Sequence, residues 1–411
     1  MSRRSALRNL AIRVALALVC ATPAAQRDGT PIVILVSFDG WRWDYIDRQP
    51  TPNLKALAAR GVRARALIPS FPVLTFPNHY TLVTGLYPEH HGVVGNTMRD
   101  AAMPERFTQS SETAKEAFWW GGEPIWATAS RQGLRAATMF WPGSEAPIGG
   151  VRPAYWKPFD QEFPTRDRVA QVLTWLALPS TERPALVTLY FHDVDSAGHD
   201  FGPDSRELAT AVARLDAALG ELVAGVHRLG LDGRTTIVAV SDHGMAPVSY
   251  GRVVYLDAFV DMDTVEILEA GANLQLTPRD GDVEGLYRRL HGKHPRLAIY
   301  KRQDVPARLH FSDNPRIPAI VGIPDAGWTV TTGQRLAQDE LHLGAHGFEP
   351  TTPDMGALFV AAGPSLRRGL VVAPFENVHL YELLCRILAI APAKNDGRAG
   401  VTRGLMRDRQ H

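Results

Sequence analysis

Carboxylate and histidine side chains follow three strongly apolar segments of this 411-residue chain. Asp39 comes directly after the first segment, Asp195 and His199 after the second, and Asp242 and His243 after the third. In open parallel α/β sheets, ligands bind beyond the carboxyl ends of the strands, so these side chains would meet at one rim. Carboxylate and imidazole groups without a thiolate suit zinc or another borderline divalent metal, whereas Ca²⁺ and Mg²⁺ prefer oxygen ligands alone.

The number of candidate ligands exceeds one tetrahedral shell, so we expect two metal ions. A pair of ions about 4 Å apart can clamp the attacking and leaving oxygens of an in-line phosphoryl displacement. Each pattern also has a structural interpretation, because Asp-Gly often ends a strand and Asp-His often caps a helix. The spacing from Asp195 to His199, beside Gly198, is poor helix chemistry and favours a ligand role. A periplasmic zinc-binding protein without catalysis would explain these ligands equally well.

Thr75 is the candidate nucleophile. Pro77 suits the first turn of a helix that we expect to continue through Leu82 and Val83. Thr75 would then lie at a helix N-terminus, where free N–H groups favour an anion. A threonine hydroxyl is not ionised in water near neutral pH, but coordination to a dication can activate it without a histidine base. Without the other motifs, Thr75 would be interpreted as an ordinary helix N-cap. If the protein only carried metal, Thr75 would have no function in it.

The remaining pattern predicts the scaffold that positions these side chains. Apolar runs rich in Val, Ile, Leu and Phe predict strands buried on both faces at 31–38, 186–191, 235–241 and 356–362. The clearest helix follows Ser205, and another should begin near Thr51 with Pro52 in its first turn. This alternation predicts the α/β class, with a mostly parallel central sheet and helices on both faces. We expect a catalytic domain at 26–392, a small inserted subdomain at about 253–328, and a polar C-terminal tail at 393–411.

The whole-chain charge and the N-terminus indicate the protein's surroundings. Lys+Arg 44 against Asp+Glu 43 gives a net charge of +1, so we expect no stable binding to nucleic acid. Residues 1–25 combine a basic head, a short apolar run and small residues, as in a secretory signal peptide, and also resemble a twin-arginine export signal. We therefore expect a periplasmic or secreted protein with no membrane span in the mature chain. The sequence leaves monomer and homodimer both open.

Several motifs together resemble those of the nucleotide pyrophosphatase/phosphodiesterase family, in the alkaline phosphatase superfamily. They occur in the family's order between about Ile32 and about Pro392. They are Thr75-Phe76-Pro77-Asn78-His79-Tyr80, His90-His91-Gly92-Val93-Val94-Gly95-Asn96, Ser241-Asp242-His243-Gly244-Met245, Gly344-Ala345-His346-Gly347 and Pro374-Phe375-Glu376-Asn377-Val378. The resemblance implies the alkaline-phosphatase-like form of the predicted fold.

The resemblance also implies how the site is divided. It implies one Zn²⁺ held by Asp195, His199 and His346, and a second held by Asp39, Thr75, Asp242 and His243. It implies that Asn96 holds a non-bridging phosphate oxygen, and that Phe76 and Tyr190 sandwich a nucleobase or other flat group. Without the resemblance, His346 would be an ordinary loop histidine and Tyr190 an ordinary core residue. We expect His79 to be structural or to support the ligands.

The activity implied by the resemblance is hydrolysis of phosphodiester or pyrophosphate bonds in small-molecule nucleotide substrates. Nucleoside monophosphates would be released through a covalent intermediate on Thr75. Two other enzymatic activities remain open: a phosphodiesterase acting on phosphocholine-type lipids, and a phosphomonoesterase. A phosphomonoesterase needs a cation for the extra phosphate charge, and no arginine in the sequence can be assigned to it.

Overall fold

The computed structural model describes residues 29–338 and 341–407. The predicted signal peptide at 1–25 and the last four residues of the predicted tail lie outside the described residues. Within these ranges the α-helices are α1 (Tyr45–Arg48), α2 (Pro52–Ala59), α3 (Thr75–Thr84), α4 (Pro88–His91), α5 (Ile125–Arg131), α6 (Thr165–Leu176), α7 (Asp193–Phe201), α8 (Arg206–Arg228), α9 (Val283–Leu290), α10 (Gly333–Gln338), α11 (Leu380–Leu388) and α12 (Ala399–Arg403).

The strands of the described residues fall into two larger sheets and several short pairs. They are β1 (Ile32–Phe38), β2 (Val62–Ala64), β3 (Leu67–Ile68), β4 (Thr97–Met98), β5 (Phe107–Thr108), β6 (Ala136–Met139), β7 (Tyr155–Lys157), β8 (Leu186–Phe191), β9 (Thr235–Val240), β10 (Ala246–Pro247), β11 (Val253–Tyr255), β12 (Val265–Glu269), β13 (Leu274–Pro278), β14 (Leu297–Lys301), β15 (Ile320–Pro324), β16 (Thr329–Thr331), β17 (Gly344–Ala345), β18 (Phe359–Ala362), β19 (Leu370–Val372) and β20 (Phe375–Glu376).

The central sheet has eight strands in the order β19-β2-β18-β9-β1-β8-β6-β7. β1 lies in the middle, parallel to β8 on one side and to β9 on the other. β6 and β7 continue the parallel arrangement beyond β8, whereas β18 runs antiparallel to β9. The predicted α/β class and mostly parallel sheet are therefore confirmed. The four predicted strands are β1, β8, β9 and β18, the last beginning only at Phe359 because a helical turn at Pro353–Met355 comes before it.

Helices cover both faces of the central sheet. Alternate side chains of each central strand point to opposite faces, so each face presents apolar side chains that a helix can bury. On one face, Val33 and Leu35 of β1 pack in a core with side chains of α3, α5 and α11. On the other, Ile34 and Val36 pack with side chains of α2, α6 and α8. α8 begins after Ser205, whose hydroxyl accepts a hydrogen bond from the Leu208 amide at 3.1 Å, as the sequence predicts.

A second sheet is built from β12, β13, β15 and β14, all antiparallel to their neighbours. Its apolar side chains and those of α9 form a separate core, and β11 pairs with β16 where the chain enters and leaves this region. This second sheet lies inside the stretch predicted to be an insert. Residues 393–407 pack onto the molecule through α12 and the buried Leu405. No helix in the described ranges combines the length and the apolar content needed to cross a bilayer.

A buried carboxylate joins two of the helices that cover the sheet. Asp216 of α8 is 2% exposed and accepts hydrogen bonds from the first free amides of α2, those of Asn53 at 3.0 Å and Leu54 at 2.8 Å. A negative charge at a helix N-terminus also interacts favourably with the helix dipole. Asp216 therefore fixes α2 against α8.

Replacing Asp216 with alanine should lower the free energy of unfolding by about 2–3 kcal/mol, because two buried amides lose a charged acceptor. Urea denaturation measures this change. Thr210→Ala, at an exposed position of the same helix, is the control and should change stability by less than about 0.5 kcal/mol. Equal stability of the two variants would contradict the assignment.

Candidate active site

The side chains predicted to hold metal converge at the carboxyl ends of β1, β8 and β9. Asp39 directly follows β1, and Asp242 lies two residues after the end of β9. Ligand atoms of Asp195, His199 and His346 all lie within 4.8 Å of one another, and the same holds for Asp39, Asp195 and His243. A third group, Asp39, His79 and Asp242, meets the same criterion. The groups are linked through Asp195 and Asp39, so they form one continuous cluster.

The helix α7 brings Asp195 and His199 together. They are four residues apart on one helical face, with 3.4 Å between Asp195 Oδ1 and His199 Nε2. The expectation that this segment is poor helix chemistry was wrong, because Gly198 has a packing role. A Cβ added at Gly198 would lie 2.9 Å from Met245 Cε, so glycine lets α7 pack closely against the loop after β9 without moving the Met245 side chain.

Three histidines of the cluster are held in the same way, each through Nδ1. His199 Nδ1 donates to the Gly344 carbonyl at 2.9 Å, His243 Nδ1 to the Gly244 carbonyl at 2.9 Å, and His346 Nδ1 to the Val73 carbonyl at 2.8 Å. In its neutral form, each ring therefore has its lone pair on Nε2. The Nε2 atoms of His199 and His346 lie 3.4 and 3.6 Å from Asp195 Oδ1. His243 Nε2 lies 2.9 Å from Asp242 Oδ2 and 3.5 Å from Asp39 Oδ1. Metal-binding histidines are oriented by this kind of hydrogen bond.

Four ligand atoms in the cluster are buried and have no hydrogen-bond partner among the described residues. They are Asp39 Oδ1, Asp195 Oδ1, Asp242 Oδ2 and His243 Nε2. Burying an ionised carboxylate without compensation is costly, and several together repel one another. Dications bound between these atoms would offset that charge. The donor set of oxygen and nitrogen atoms without sulfur fits zinc.

The pKa shifts in the cluster follow from burial and crowding. Burial, followed by the charges of Asp242 and Asp195, raises the pKa of Asp39 well above its usual value. Burial, together with two neighbouring histidines, holds the pKa of His346 well below its usual value. His346 is therefore neutral at physiological pH, which is the form that can bind a metal.

Thr75 is the first residue of α3, as predicted, and it lines the same cavity as Asp39 and Asp195. The next amide, that of Phe76, donates to Asn96 Oδ1 at 3.0 Å. This bond fixes the orientation of the Asn96 side chain. Asn96 Nδ2 makes no hydrogen bond to any residue that the structure describes, so it remains an available donor beside the start of the helix.

His79 also lies near the ligands, and its Nδ1 is 3.4 Å from Asp242 Oδ2. Its Nδ1 donates to the Thr75 carbonyl at 2.9 Å, and its Nε2 accepts from the Ser37 hydroxyl at 2.8 Å. Both ring nitrogens are thus engaged. The expected supporting role fits this geometry, because His79 links the backbone of Thr75 to the end of β1.

A cavity of about 490 Å³ opens beside Thr75. Its aromatic lining residues are Phe76, Phe140, Trp141, Phe159 and Tyr190. Tyr190 is only 8% exposed, and its hydroxyl donates to Asp39 Oδ2 at 2.6 Å, so it positions a candidate ligand in addition to lining the cavity. No pattern in the sequence predicts this hydrogen bond.

Phe159 is 50% exposed and lines the cavity, but it was not among the residues predicted from the sequence. Its amide donates to Glu145 Oε1 at 2.9 Å. The buried guanidinium of Arg168 donates to the carbonyls of Gln161 and Phe163 at 3.0 and 2.9 Å. These bonds hold the loop so that an apolar ring remains exposed at the cavity. The only sequence signal was an aromatic residue after proline in an otherwise polar loop.

Comparison with known proteins agrees with this geometry. Residues 33–349 match the profile of the type I phosphodiesterase / nucleotide pyrophosphatase family. The chain is 39% identical over 385 residues to an uncharacterized pyrophosphatase/phosphodiesterase of Schizosaccharomyces pombe, which covers 89% of this chain and 78% of that protein. It is 36% identical to ectonucleotide pyrophosphatase/phosphodiesterase family member 7 of Rattus norvegicus, over 100% of this chain and 96% of that protein.

Other relatives are longer. A venom phosphodiesterase of Crotalus durissus collilineatus is 36% identical over 92% of this chain, which spans only 46% of that protein. Among solved structures, murine ectonucleotide pyrophosphatase/phosphodiesterase 5 superposes with a TM-score of 0.88 at 31% identity, covering 92% of this chain and 100% of that chain. That structure is of an inactive form, with a threonine replaced by alanine, in complex with AMP.

The fold, the cluster at its carboxyl rim and these matches lead to the same assignment. The chain belongs to the type I phosphodiesterase / nucleotide pyrophosphatase family and is an enzyme of that class.

Proposed function

We propose that this enzyme uses two zinc ions and Thr75 to cleave a phosphodiester or pyrophosphate bond of a small nucleotide substrate, releasing a nucleoside monophosphate. The observation that carries the proposal is the convergence of carboxylates and Nε2 atoms at the cavity that Thr75 lines. The inactive threonine-to-alanine form of the murine relative, bound to AMP, supports both the nucleophile and the substrate class.

One zinc ion would be held by Asp195, His199 and His346, and the other by Asp39, Thr75, Asp242 and His243. When bound, such ions lower the pKa of a coordinated hydroxyl or water and offset the charge of the leaving oxygen. The protein's own contribution is to hold the ligands in place. The three histidines are fixed through Nδ1, and Asp39 is fixed through the hydroxyl of Tyr190.

Thr75 attacks phosphorus in line, so that a bond from its Oγ to phosphorus forms as the bond to the leaving oxygen breaks. Asn96 Nδ2 and the N-terminus of α3 stabilise the charge on the non-bridging oxygens. Water then attacks the phosphorus of the threonine diester. The bond to Thr75 Oγ breaks, and the monophosphate leaves with the threonine regenerated.

We infer that the cavity binds the nucleoside. Phe76, Tyr190 and Phe159 line it, and the exposed ring of Phe159 offers a stacking surface for a base. A phosphocholine-type lipid is the second candidate, because aromatic rings with carboxylates also suit a quaternary ammonium. The two nearby carboxylates already have partners, however. Glu112 pairs with Lys115 at 2.6 Å, and Glu145 accepts from the Phe159 amide.

A phosphomonoesterase fits less well, because none of the described residues that line the cavity is an arginine, and the one lysine among them pairs with Glu112. From residues 1–25, we propose that the protein is exported to the periplasm or secreted. The domain limits at 26–392 and about 253–328 are likewise proposed from the sequence pattern.

Chelation should abolish turnover of a nitrophenyl nucleotide diester, because the ligand cluster would lose its dications. Zn²⁺, and not Mg²⁺, should restore the activity, since the histidines favour a borderline metal. A parallel assay with a nitrophenyl monoester and a choline phosphodiester separates the three candidate activities. Undiminished turnover after complete metal removal would refute the two-zinc proposal, and faster cleavage of the choline diester would refute the nucleotide assignment.

Thr75→Ala should reduce turnover by more than about a thousandfold, because the attacking oxygen is removed. The zinc content should remain close to that of the wild type, since six of the seven proposed ligands remain. Thr75→Ser keeps a hydroxyl and is the matched variant. Intact mass after rapid quenching should show a nucleotidyl adduct on the wild type and none on Thr75→Ala. A Thr75→Ala variant with full activity would exclude the nucleophile.

Phe159→Ala should raise KM for a nucleotide diester by about tenfold while changing kcat little, because one face of base stacking is lost. The KM for bis(nitrophenyl) phosphate, which has no nucleoside, should change less. Phe118→Ala is a suitable control, since Phe118 is 44% exposed and does not line this cavity. An equal change for both substrates would show that Phe159 does not recognise the base.

A further inference from the structure

Glu269 ends β12 of the second sheet and contacts the segment that carries Asn96. Its Oε1 accepts a hydrogen bond from the Thr97 amide at 2.9 Å. The approach is close, because a Cβ added at Gly95 would lie 3.1 Å from the same oxygen. The residues on both sides of Asn96 therefore meet one side chain from a sheet that contributes none of the proposed metal ligands or Thr75.

An irregularity in β12 determines where Glu269 points. Ile267 pairs with Leu276 and Glu269 pairs with Gln275, so Leu268 is an extra residue on this strand. A bulge of this kind shifts the side-chain alternation and re-aims the residues that follow, and such bulges are common beside functional sites. Here the re-aimed side chain is the one that reaches the Thr97 amide.

Other side chains of the second sheet hold the same segment at its two ends. Gln275 Nε2 donates to the Val94 carbonyl at 3.4 Å, and Arg99 Nε donates to Glu266 Oε1 at 2.5 Å. Residues 94–99 are thus attached to β12 and β13 at three points. Glu269 makes the central attachment, adjacent to Asn96.

We propose that Glu269 is a positioning residue through which the second sheet places the Asn96 amide group for its phosphate contact. This inference rests on the proposed function, in which Asn96 Nδ2 donates to a non-bridging phosphate oxygen. Two hydrogen bonds then determine the position of the Asn96 side chain. Glu269 fixes the adjoining backbone, and the Phe76 amide holds Oδ1 at the start of α3. The position of the second sheet therefore determines where the Asn96 side chain lies relative to Thr75.

The electrostatics of Glu269 agree with a hydrogen-bonding role. Burial raises its pKa to about 7, and the amide hydrogen bonds from Thr97 and Asn96 and the charge of Arg335 act in the opposite direction. A carboxylate kept in such surroundings needs its amide donors. The acceptor oxygen, which glutamine also has, is the feature that the geometry uses.

The test compares Glu269→Gln, which retains an acceptor oxygen, with Glu269→Met, which keeps a similar volume without one. On a nitrophenyl nucleotide diester, Glu269→Met should lower kcat by about ten- to a hundredfold, because a donor to the transition state is misplaced. KM should change by less than about threefold, since few ground-state contacts are lost. Glu269→Gln should stay within about threefold of the wild-type kcat.

The control is Glu284→Ala, which removes an exposed glutamate that pairs with Lys301 in the same subdomain and should leave kcat unchanged. Zinc content and thermal midpoint are measured for every variant. If Glu269→Met is not stably folded, Glu269→Ala provides the same comparison with glutamine.

A double-mutant cycle identifies the route through Asn96. Asn96→Ala alone should lower kcat by about a hundred- to a thousandfold, as for loss of one transition-state donor. Adding Glu269→Met should cause little further loss, because its effect passes through the missing side chain. Fully additive losses, or wild-type kcat in Glu269→Met, would overturn the inference while leaving the proposed function intact. A zinc-loaded wild type with no turnover would instead refute the proposed function.

Discussion

Mutual repulsion among buried carboxylates is the constraint on which this structure depends. Asp39, Asp195 and Asp242 each place an oxygen in one small buried region where no described residue supplies a hydrogen bond to it. Carboxylates that share a buried site cannot all ionise without compensating charge, and the raised pKa of Asp39 expresses that conflict. Bound dications would resolve it, so metal binding should also stabilise the rim.

The fold meets this constraint by holding the ligand side chains through hydrogen bonds to other parts of the protein. Backbone carbonyls hold Nδ1 of His199, His243 and His346, and the hydroxyl of Tyr190 holds Asp39. The pairing of β10 with β17 stacks the His346 ring on that of His243, with 3.5 Å between the ring centroids. Rigid strand ends and short pairings therefore supply most of the geometry that catalysis needs.

Much of this arrangement could be predicted from local patterns. The strand before Asp39, the helix that begins at Thr75 and the long helix after Ser205 all follow from hydrophobic periodicity and from capping residues. The convergence of three strand ends follows from the topology of parallel sheets. These are short-range signals, and the structure agrees with them.

Other features depend on contacts between distant parts of the chain, which no local pattern reports. The helix around Gly198 was missed because glycine's role there is to make room for Met245, a residue on another loop. Phe159 is placed by Glu145 and Arg168, and Glu269 reaches Thr97 across the boundary between the two sheets. The contacts of Gly198 and Glu269 join segments far apart in sequence. Those that place the Phe159 loop are nearer in sequence but depend on side-chain geometry that no periodic pattern indicates.

Anomalous diffraction from crystals of the purified protein, collected on both sides of the zinc absorption edge, tests the central claim most directly. We predict two zinc peaks per chain, one beside Asp195, His199 and His346 and the other beside Asp39, Thr75, Asp242 and His243. A single peak, none at all, or metal bound elsewhere on the chain would contradict the account.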